Sequence, residues 1–148
     1  MTEASTDKPI KADKPIGADK PIGADKPIKV PGPDHPITVE PSTDRVRAVV
    51  AGTTIADSTA TLLLAEAGYP AVRYFPRTDV QMSLLEPTDH ATYCPYKGDA
   101  SYFTIRTPDT VLENAVWSYQ QPYRAVAEIA GYVALYTDRV EVATAPTP

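Results

Sequence analysis

The fold is decided by a turn between two β-prone stretches, and its sequence reads Thr92-Tyr93-Cys94-Pro95-Tyr96-Lys97-Gly98-Asp99-Ala100-Ser101-Tyr102. Proline and glycine are typical of turns, because Pro fixes φ and Gly tolerates a positive φ. The flanking residues 92–94 and 101–106 are rich in tyrosine and threonine, which favour strands. The stretch also contains the only cysteine of the chain and the only lysine beyond residue 29. It therefore predicts an antiparallel strand pair whose turn is the first place to look for a functional site.

Short strand patterns continue on both sides of this pair. Residues 44–58 alternate in polarity around the turn residues Ala51 and Gly52, which predicts a hairpin. Further apolar or alternating runs, bounded by Pro, Gly or Asp, predict strands at 61–66, 71–75, 111–119, 132–136 and 140–142.

Two short helices are predicted between these strands. In residues 78–86, Thr78 is placed as an N-cap, with Gln81 three positions later at capping-box spacing. Residues 123–130 have room for two turns, and Gly131 is placed to end them. We therefore predict a mainly β fold, a small antiparallel sandwich or open barrel with two short helices.

The N-terminal segment is a repeat with a period of six. Ala-Asp-Lys-Pro-Ile occurs three times, at residues 12–16, 18–22 and 24–28. A near copy precedes them at residues 6–10. Each unit has one isoleucine to bury, and proline favours extended backbone. We expect residues 1–36 to be a disordered tail that acts as a spacer, with a docking array as the alternative. Residues 37–144 are predicted to be one β-rich domain and 145–148 a frayed C-terminus.

The charge distribution excludes some partners. The net charge is −5, and because the acids and lysines of residues 1–36 cancel, all of it belongs to the predicted domain. We expect no nucleic-acid partner, since phosphate binding needs clustered cations, and no anionic membrane partner. A single cysteine forms no intrachain disulfide, and neither a signal peptide nor a long apolar run is visible. These features predict a cytoplasmic protein.

Cys94 and Lys97 are the candidate catalytic residues. A nucleophilic cysteine needs a nearby cation to lower its pKa, and Lys97 is three residues away across the turn. His90 is four residues from Cys94, which on a strand is about 13 Å, too far for a general base. An enzyme that uses Cys94 or Lys97 is therefore an alternative hypothesis, and a buried structural cysteine is the other interpretation.

The sequence predicts neither a metal site nor a cofactor. One cysteine and two histidines fall short of a four-ligand set, and the phosphate-loop, dinucleotide-binding and nucleophile-elbow motifs are absent from the sequence.

The aromatic residues indicate a pocket. Nine tyrosines against two phenylalanines suit a surface that is apolar but carries hydroxyl groups. The leading hypothesis is a domain that binds a small anionic or aromatic ligand, with the cationic side chains as anchors for an anion. The predicted ligand-binding residues are Arg73, Tyr74, Tyr96, Lys97, Tyr102, Trp117 and Tyr119. A structural or adaptor module with a docking tail is the third hypothesis.

Several stretches resemble one protein family, namely residues 31–37, 74–80, 92–100, 115–119 and 131–140. They are similar to the bacterial domain-of-unknown-function family 427, and the similarity runs from about residue 29 to residue 143. The resemblance implies a small β-rich domain of the bacterial cytosol, in a family that sometimes carries a nucleotidyltransferase label. Polymerase-like nucleotidyltransferases hold two Mg²⁺ with acids one residue apart. This sequence has no such pair, so the label is unsupported and no catalytic residue is carried over.

Overall fold

A computed structural model describes residues 26–145. The strands in this part of the chain are β1 (Ile37–Pro41), β2 (Arg45–Val50), β3 (Thr53–Ser58), β4 (Leu62–Glu66), β5 (Val72–Tyr74), β6 (Leu85–Cys94), β7 (Gly98–Arg106), β8 (Val111–Ser118), β9 (Val133–Leu135) and β10 (Glu141–Ala145). Three short 3-10 segments connect them, at Arg77–Asp79, Met82–Leu84 and Arg124–Ile129.

The strands pair in three antiparallel sheets. Their strand orders are β1-β4-β5, β10-β2-β3 and β6-β7-β8-β9, and none of the three closes into a barrel. The prediction of a mainly β fold of antiparallel sheets is therefore confirmed. The long β6–β7 pair is the one predicted from the central turn, with Cys94 opposite Gly98 and Thr92 opposite Ala100.

The four-stranded sheet lies between two hydrophobic clusters. Neighbouring side chains of a strand point to opposite faces, and on β7 Phe103 packs into the first cluster and Tyr102 into the second. On β8, Val116 and Trp117 divide in the same way. The first cluster is shared with the β10-β2-β3 sheet and the second with the β1-β4-β5 sheet. Tyrosines are concentrated in the second cluster, which contains the candidate site.

The predicted hairpin at 44–58 is present as β2 and β3. Ala51 and Gly52 both have positive φ, 49° and 81°, as a tight hairpin turn requires. One register shift, between Ala48 and Val49, interrupts the pairing. The alternating pattern of this stretch therefore predicted both the strands and their turn.

The first predicted helix, at 78–86, is replaced by two 3-10 turns and the start of β6. The cap residue is Pro76, and no side chain caps the first turn. Val80 instead bridges to Ala56 of β3, and the Gln81 amide donates to the Ile55 carbonyl at 2.7 Å. Pairing with β3 therefore outweighs the local capping signal in this segment.

Strand β6 begins at Leu85, earlier than the sequence predicts. Pro87 lies on this edge strand, beside a register shift between Pro87 and Ala91. An edge position and an irregular register both tolerate a residue without an N–H group. The second predicted helix is present as the 3-10 segment Arg124–Ile129, with non-helical backbone at Val126.

The predicted tail falls mostly on residues 1–25, outside the described residues, as do residues 146–148. Its last part contacts the domain, because the Lys29 amide donates to the Pro95 carbonyl at 3.0 Å and His35 bonds to Glu66. Within residues 26–145, no helix has the length and apolarity needed to cross a membrane.

Candidate functional site: a tyrosine-lined cavity

A cavity of about 180 Å³ lies between the β1-β4-β5 sheet and the four-stranded sheet. It is somewhat larger than an engineered cavity of about 150 Å³ that binds benzene. The lining residues are Leu64, Glu66, Tyr69, Pro70, Val72, Tyr74, Thr92, Tyr93, Cys94, Lys97, Tyr102, Trp117, Tyr119 and Tyr136. The volume suits a ligand of about one aromatic ring.

The β6–β7 turn holds Lys97 in the cavity wall. Its amide donates to the Cys94 carbonyl at 3.2 Å, and its carbonyl accepts from the Tyr123 amide at 3.0 Å. Gly98 follows with φ of +110°, a conformation that other residues adopt only with strain. The turn that the sequence predicted therefore fixes the only lysine of the domain from both sides.

Lys97 is buried and paired. Its Nζ donates to Glu66 Oε1 at 2.6 Å, and the two side chains are only 11% and 15% exposed. Burial on its own would lower the pKa of Lys97. The negative charges that Cys94, Tyr74 and Glu66 carry when they are ionised attract the ammonium and outweigh burial. The pKa of Lys97 is therefore raised above 10.5. Lys97 is therefore an ammonium at neutral pH, and Glu66 balances its charge.

Glu66 connects this ammonium to a histidine nearer the surface. Its second carboxylate oxygen lies 2.8 Å from His35 Nε2, and the His35 ring stacks on Tyr96 at 4.0 Å between centroids. Burial favours a higher pKa for Glu66, but Lys97 and His35 outweigh burial and lower it below 4.5. Glu66 therefore stays ionised across the neutral range.

Most hydroxyl groups around the cavity already have a partner in the protein. Trp117 Nε1 donates to the Tyr74 hydroxyl at 3.4 Å, and the Tyr102 hydroxyl is 2.9 Å from that of Thr92. Burial raises the pKa of Tyr74 to about 12. Burial also raises the pKa of Tyr136, with a hydrogen bond to Tyr102 adding to the effect. These phenols are therefore neutral at physiological pH.

Tyr119 is the exception among the buried phenols of the lining. It is 6% exposed and lines the cavity, yet among residues 26–145 its hydroxyl has no hydrogen-bond partner. Its backbone is fixed, since the Tyr119 carbonyl accepts from the Gly131 amide at 3.0 Å. Burial, followed by the charge of Tyr74, raises the pKa of Tyr119 well above 10. The cavity therefore contains a neutral phenol donor that the described protein leaves unused.

The structure brings together five of the seven predicted ligand-binding residues. These five line the cavity, namely Tyr74, Lys97, Tyr102, Trp117 and Tyr119. Arg73 lies outside the lining, where it donates to Thr61 Oγ1 at 3.1 Å and pairs with Asp44 at 3.6 Å. Tyr96 is also outside the lining, stacked on His35. The ligand-binding role of all seven stays a prediction.

Sequence reasoning missed the acid that balances Lys97. Glu66 ends an otherwise apolar strand, but it lies 31 residues from Lys97, so no local pattern connected the two. His35 was assigned to the tail, and no sequence signal placed it against Glu66. Tyr136 was also missed, because it directly follows β9 and its partner Tyr102 is distant in sequence.

The two candidate catalytic residues both line the cavity. Cys94 is half-buried and shares the lining with Lys97. His90 is not among the lining residues, and its ring lies against Tyr102 at 4.5 Å. Across residues 26–145, no group of three or more His, Cys, Asp or Glu side chains is arranged to hold a metal ion.

The fold and cavity define a small β domain with a phenol-rich pocket. The profile of the domain of unknown function DUF427, which carries the name NTP_transf_9, matches residues 38–145. The chain therefore belongs to the DUF427 family. No curated protein matches the chain.

Proposed function

We propose that this domain binds a small, uncharged aromatic ligand that carries a hydrogen-bond acceptor. The observation that carries the proposal is Tyr119, a buried residue of the lining of this ring-sized cavity whose hydroxyl has no partner among the described residues. An unsatisfied buried hydroxyl costs about 1–3 kcal/mol, and a ligand acceptor would remove that cost.

The cavity walls support an aromatic ligand. Trp117 lies 4.6 Å from the Tyr136 ring and meets Tyr74 edge-on at 6.5 Å. Aromatic rings pack well in stacked or edge-on contact with one another. Because Tyr74 accepts from Trp117, its own hydroxyl hydrogen is also available to a ligand acceptor. Two phenol donors beside aromatic walls suit a ring with a carbonyl or a hydroxyl group.

The sequence predicts an anionic or an aromatic ligand, and the charges around the cavity favour an aromatic ligand without a charge. Lys97 is bonded to Glu66 at 2.6 Å, so the pair contributes no net charge to the cavity. Arg73, the other predicted anchor for an anion, points its guanidinium to Ser42, Thr61 and Asp44 instead. An anion that enters the cavity would therefore compete with Glu66 for Lys97.

Titration with four matched ring compounds tests the proposal. Benzamide is neutral, aromatic and carries an acceptor; benzoate adds a charge, toluene lacks the acceptor, and cyclohexanecarboxamide lacks the aromatic ring. Trp117 is the only tryptophan and lines the cavity, so its fluorescence reports binding. We expect benzamide to bind best, with a Kd on the order of 1 mM, as ligand efficiency allows for so few atoms.

Tyr119→Phe separates binding from stability. The variant should weaken benzamide binding by about three- to tenfold, the value of one hydrogen bond, while leaving the free energy of unfolding unchanged or higher. Tyr132→Phe, a tyrosine packed outside the cavity lining, is the matched control and should leave binding unchanged. Equal binding of all four compounds, or no effect of Tyr119→Phe on benzamide, would refute the proposal.

An enzyme that uses Cys94 is the second candidate, favoured by its place in the same cavity as a lysine that stays charged. A cation beside a cysteine favours the thiolate, which is the form that attacks electrophiles. Under this candidate, iodoacetamide labels Cys94 faster than a free thiol, and Lys97→Met removes the advantage. Labelling at or below the rate of a free thiol in the native protein excludes a thiolate nucleophile.

A further inference from the structure

The last copy of the repeat is docked on the domain through its lysine and proline. Lys26 Nζ donates to Asp99 Oδ1 at 2.8 Å and lies 4.7 Å from the centroid of the Tyr93 ring. The Tyr93 hydroxyl donates to the Pro27 carbonyl at 2.7 Å. Since that uses the only hydrogen of Tyr93, the Tyr123 hydroxyl donates to Tyr93 in turn at 2.7 Å. Both aromatic side chains are thus oriented for the segment.

A backbone contact completes the docking. The Lys29 amide, three positions after Lys26, donates to the Pro95 carbonyl at 3.0 Å. We call Tyr93, Pro95 and Asp99 together the docking surface. Ile28 does not contribute to it through burial, because its side chain is 59% exposed. The docking surface therefore recognises a lysine side chain, the next carbonyl and an N–H two residues further on.

Every copy of the repeat supplies these groups. Lysine is followed by proline at residues 8–9, 14–15, 20–21 and 26–27, and at no other position in the chain. The residue three positions after each lysine is Lys11, Gly17, Gly23 or Lys29, and each has an N–H. The contacts made by residues 26–29 thus use no group that distinguishes this copy from the other three.

We propose that the docking surface is a binding site for extended Lys-Pro segments, and that the three upstream copies of this chain's own tail exchange with residues 26–29 on it. Loop-closure entropy favours the nearest copy only slightly, since each doubling of tether length lowers the local concentration roughly threefold. Each exchange by one copy changes the free length of the tail by six residues, about 20 Å when extended. The repeat thus acts as a set of alternative ligands for one surface.

Zero-length crosslinking of the full chain tests this exchange. A carbodiimide joins the Asp99 carboxylate to a lysine amine in contact with it, and mass spectrometry identifies the lysine. Lys26→Ala removes the docked lysine. Lys11 is the matched control, because it lies in the tail between Lys8 and Lys14 but precedes alanine instead of proline.

In the Lys26→Ala chain, we expect Asp99 to crosslink to the lysines at 8, 14 and 20. The sharpest comparison is Lys8 with Lys11, because Lys8 is further from the domain along the chain. Recognition of Lys-Pro predicts that Lys8 exceeds Lys11 by about threefold or more, whereas random contact predicts that Lys11 equals or exceeds Lys8. A yield at Lys11 that matches the other lysines, or the loss of all tail crosslinks to Asp99, overturns the proposal.

A mixture of ¹⁵N-labelled and unlabelled chains shows whether the bound tail belongs to the same molecule or to another one. At micromolar concentration the crosslinks should join chains of one isotope, because the local concentration of the chain's own repeats is in the millimolar range. A majority of mixed-isotope crosslinks would overturn the assignment of the chain's own tail as the occupant.

Discussion

Removal of the carboxylate beside Lys97 is the most informative single change, because it tests whether the buried Lys97–Glu66 ion pair is needed for the stability of the fold. In Glu66→Gln, the ammonium keeps its buried position, where it is 11% exposed, but loses the negative charge that lies 2.6 Å away; an amide oxygen can still accept its hydrogen bond without balancing its charge. His35 Nε2 also loses the carboxylate oxygen at 2.8 Å. The substitution keeps the size of the side chain, so packing of the cavity wall is preserved.

The expected cost follows from the burial of the pair. Breaking a buried ion pair by removing one partner typically costs about 3–5 kcal/mol, because an uncompensated charge remains inside the protein. Since Lys97 and Glu66 retain 11% and 15% exposure, we expect the lower end, a loss of about 3 kcal/mol in the free energy of unfolding. Adding Lys97→Met removes the stranded charge, so the double variant should recover most of that loss.

Urea unfolding followed by Trp117 fluorescence measures these differences. The matched control is Glu86→Gln, which breaks the Arg106–Glu86 pair, whose side chains are 57% and 58% exposed. Exposed pairs contribute little, so this control should lose no more than about 0.5 kcal/mol. A loss below about 1 kcal/mol in Glu66→Gln, or a double variant less stable than either single one, would contradict a buried, mutually dependent pair.

Three further outcomes are expected. Because the pKa of Glu66 is lower in the folded state, its ionised form stabilises the fold above pH 4.5, and this stabilisation is lost as the pH falls through the lower folded pKa. The free energy of unfolding of Glu66→Gln, measured across acid pH, should lack this pH-dependent loss, and an identical pH dependence in both proteins would contradict the argument. Gly98→Ala should lower the free energy of unfolding by about 1–3 kcal/mol because φ is +110°. Gly68→Ala, at a site without a positive φ, should change it by less than about 0.5 kcal/mol, and equal effects of the two substitutions in thermal denaturation would refute the strain argument. Arg77→Lys should lower the free energy of unfolding by about 1–2 kcal/mol in the same assay, since lysine lacks the forked guanidinium that donates to the Gly131 carbonyl and to Ser118. A stability equal to that of the parent chain would show that these hydrogen bonds contribute nothing.

Local patterns were sufficient to predict most strands. The alternation around Ala51 and Gly52 identified the β2–β3 hairpin, and the Pro/Gly turn at 95–98 identified the β6–β7 pair. Strand β1 was not predicted, because Pro36 and Pro41 at its borders suggest a loop and its pairing with β4 is a contact between distant residues. The helix predicted at 78–86 rested on capping-box spacing, which the bridge from Val80 to β3 overrides.

The site was predictable in composition but not in detail. An excess of tyrosine and an isolated Lys97 indicated a polar aromatic pocket, and the tyrosines do concentrate at one cavity. Arg73 was included because cations attract anions, yet its strand turns the guanidinium to Asp44 and Thr61. The partner of Lys97 is 31 residues away in sequence, so no local pattern identified Glu66. Which hydroxyl lacks a partner depends on packing across sheets.

The most direct test of ligand binding in the cavity is a crystal structure of the full chain soaked with benzamide. We predict density for one ring inside the cavity, with the amide oxygen within about 3 Å of the Tyr119 hydroxyl, the distance of a good hydrogen bond. The Lys97–Glu66 bond should stay intact, because a neutral ligand does not compete for it. Benzamide bound only outside the cavity, or a ring whose acceptor avoids Tyr119 and displaces Glu66 from Lys97, would contradict the proposed function.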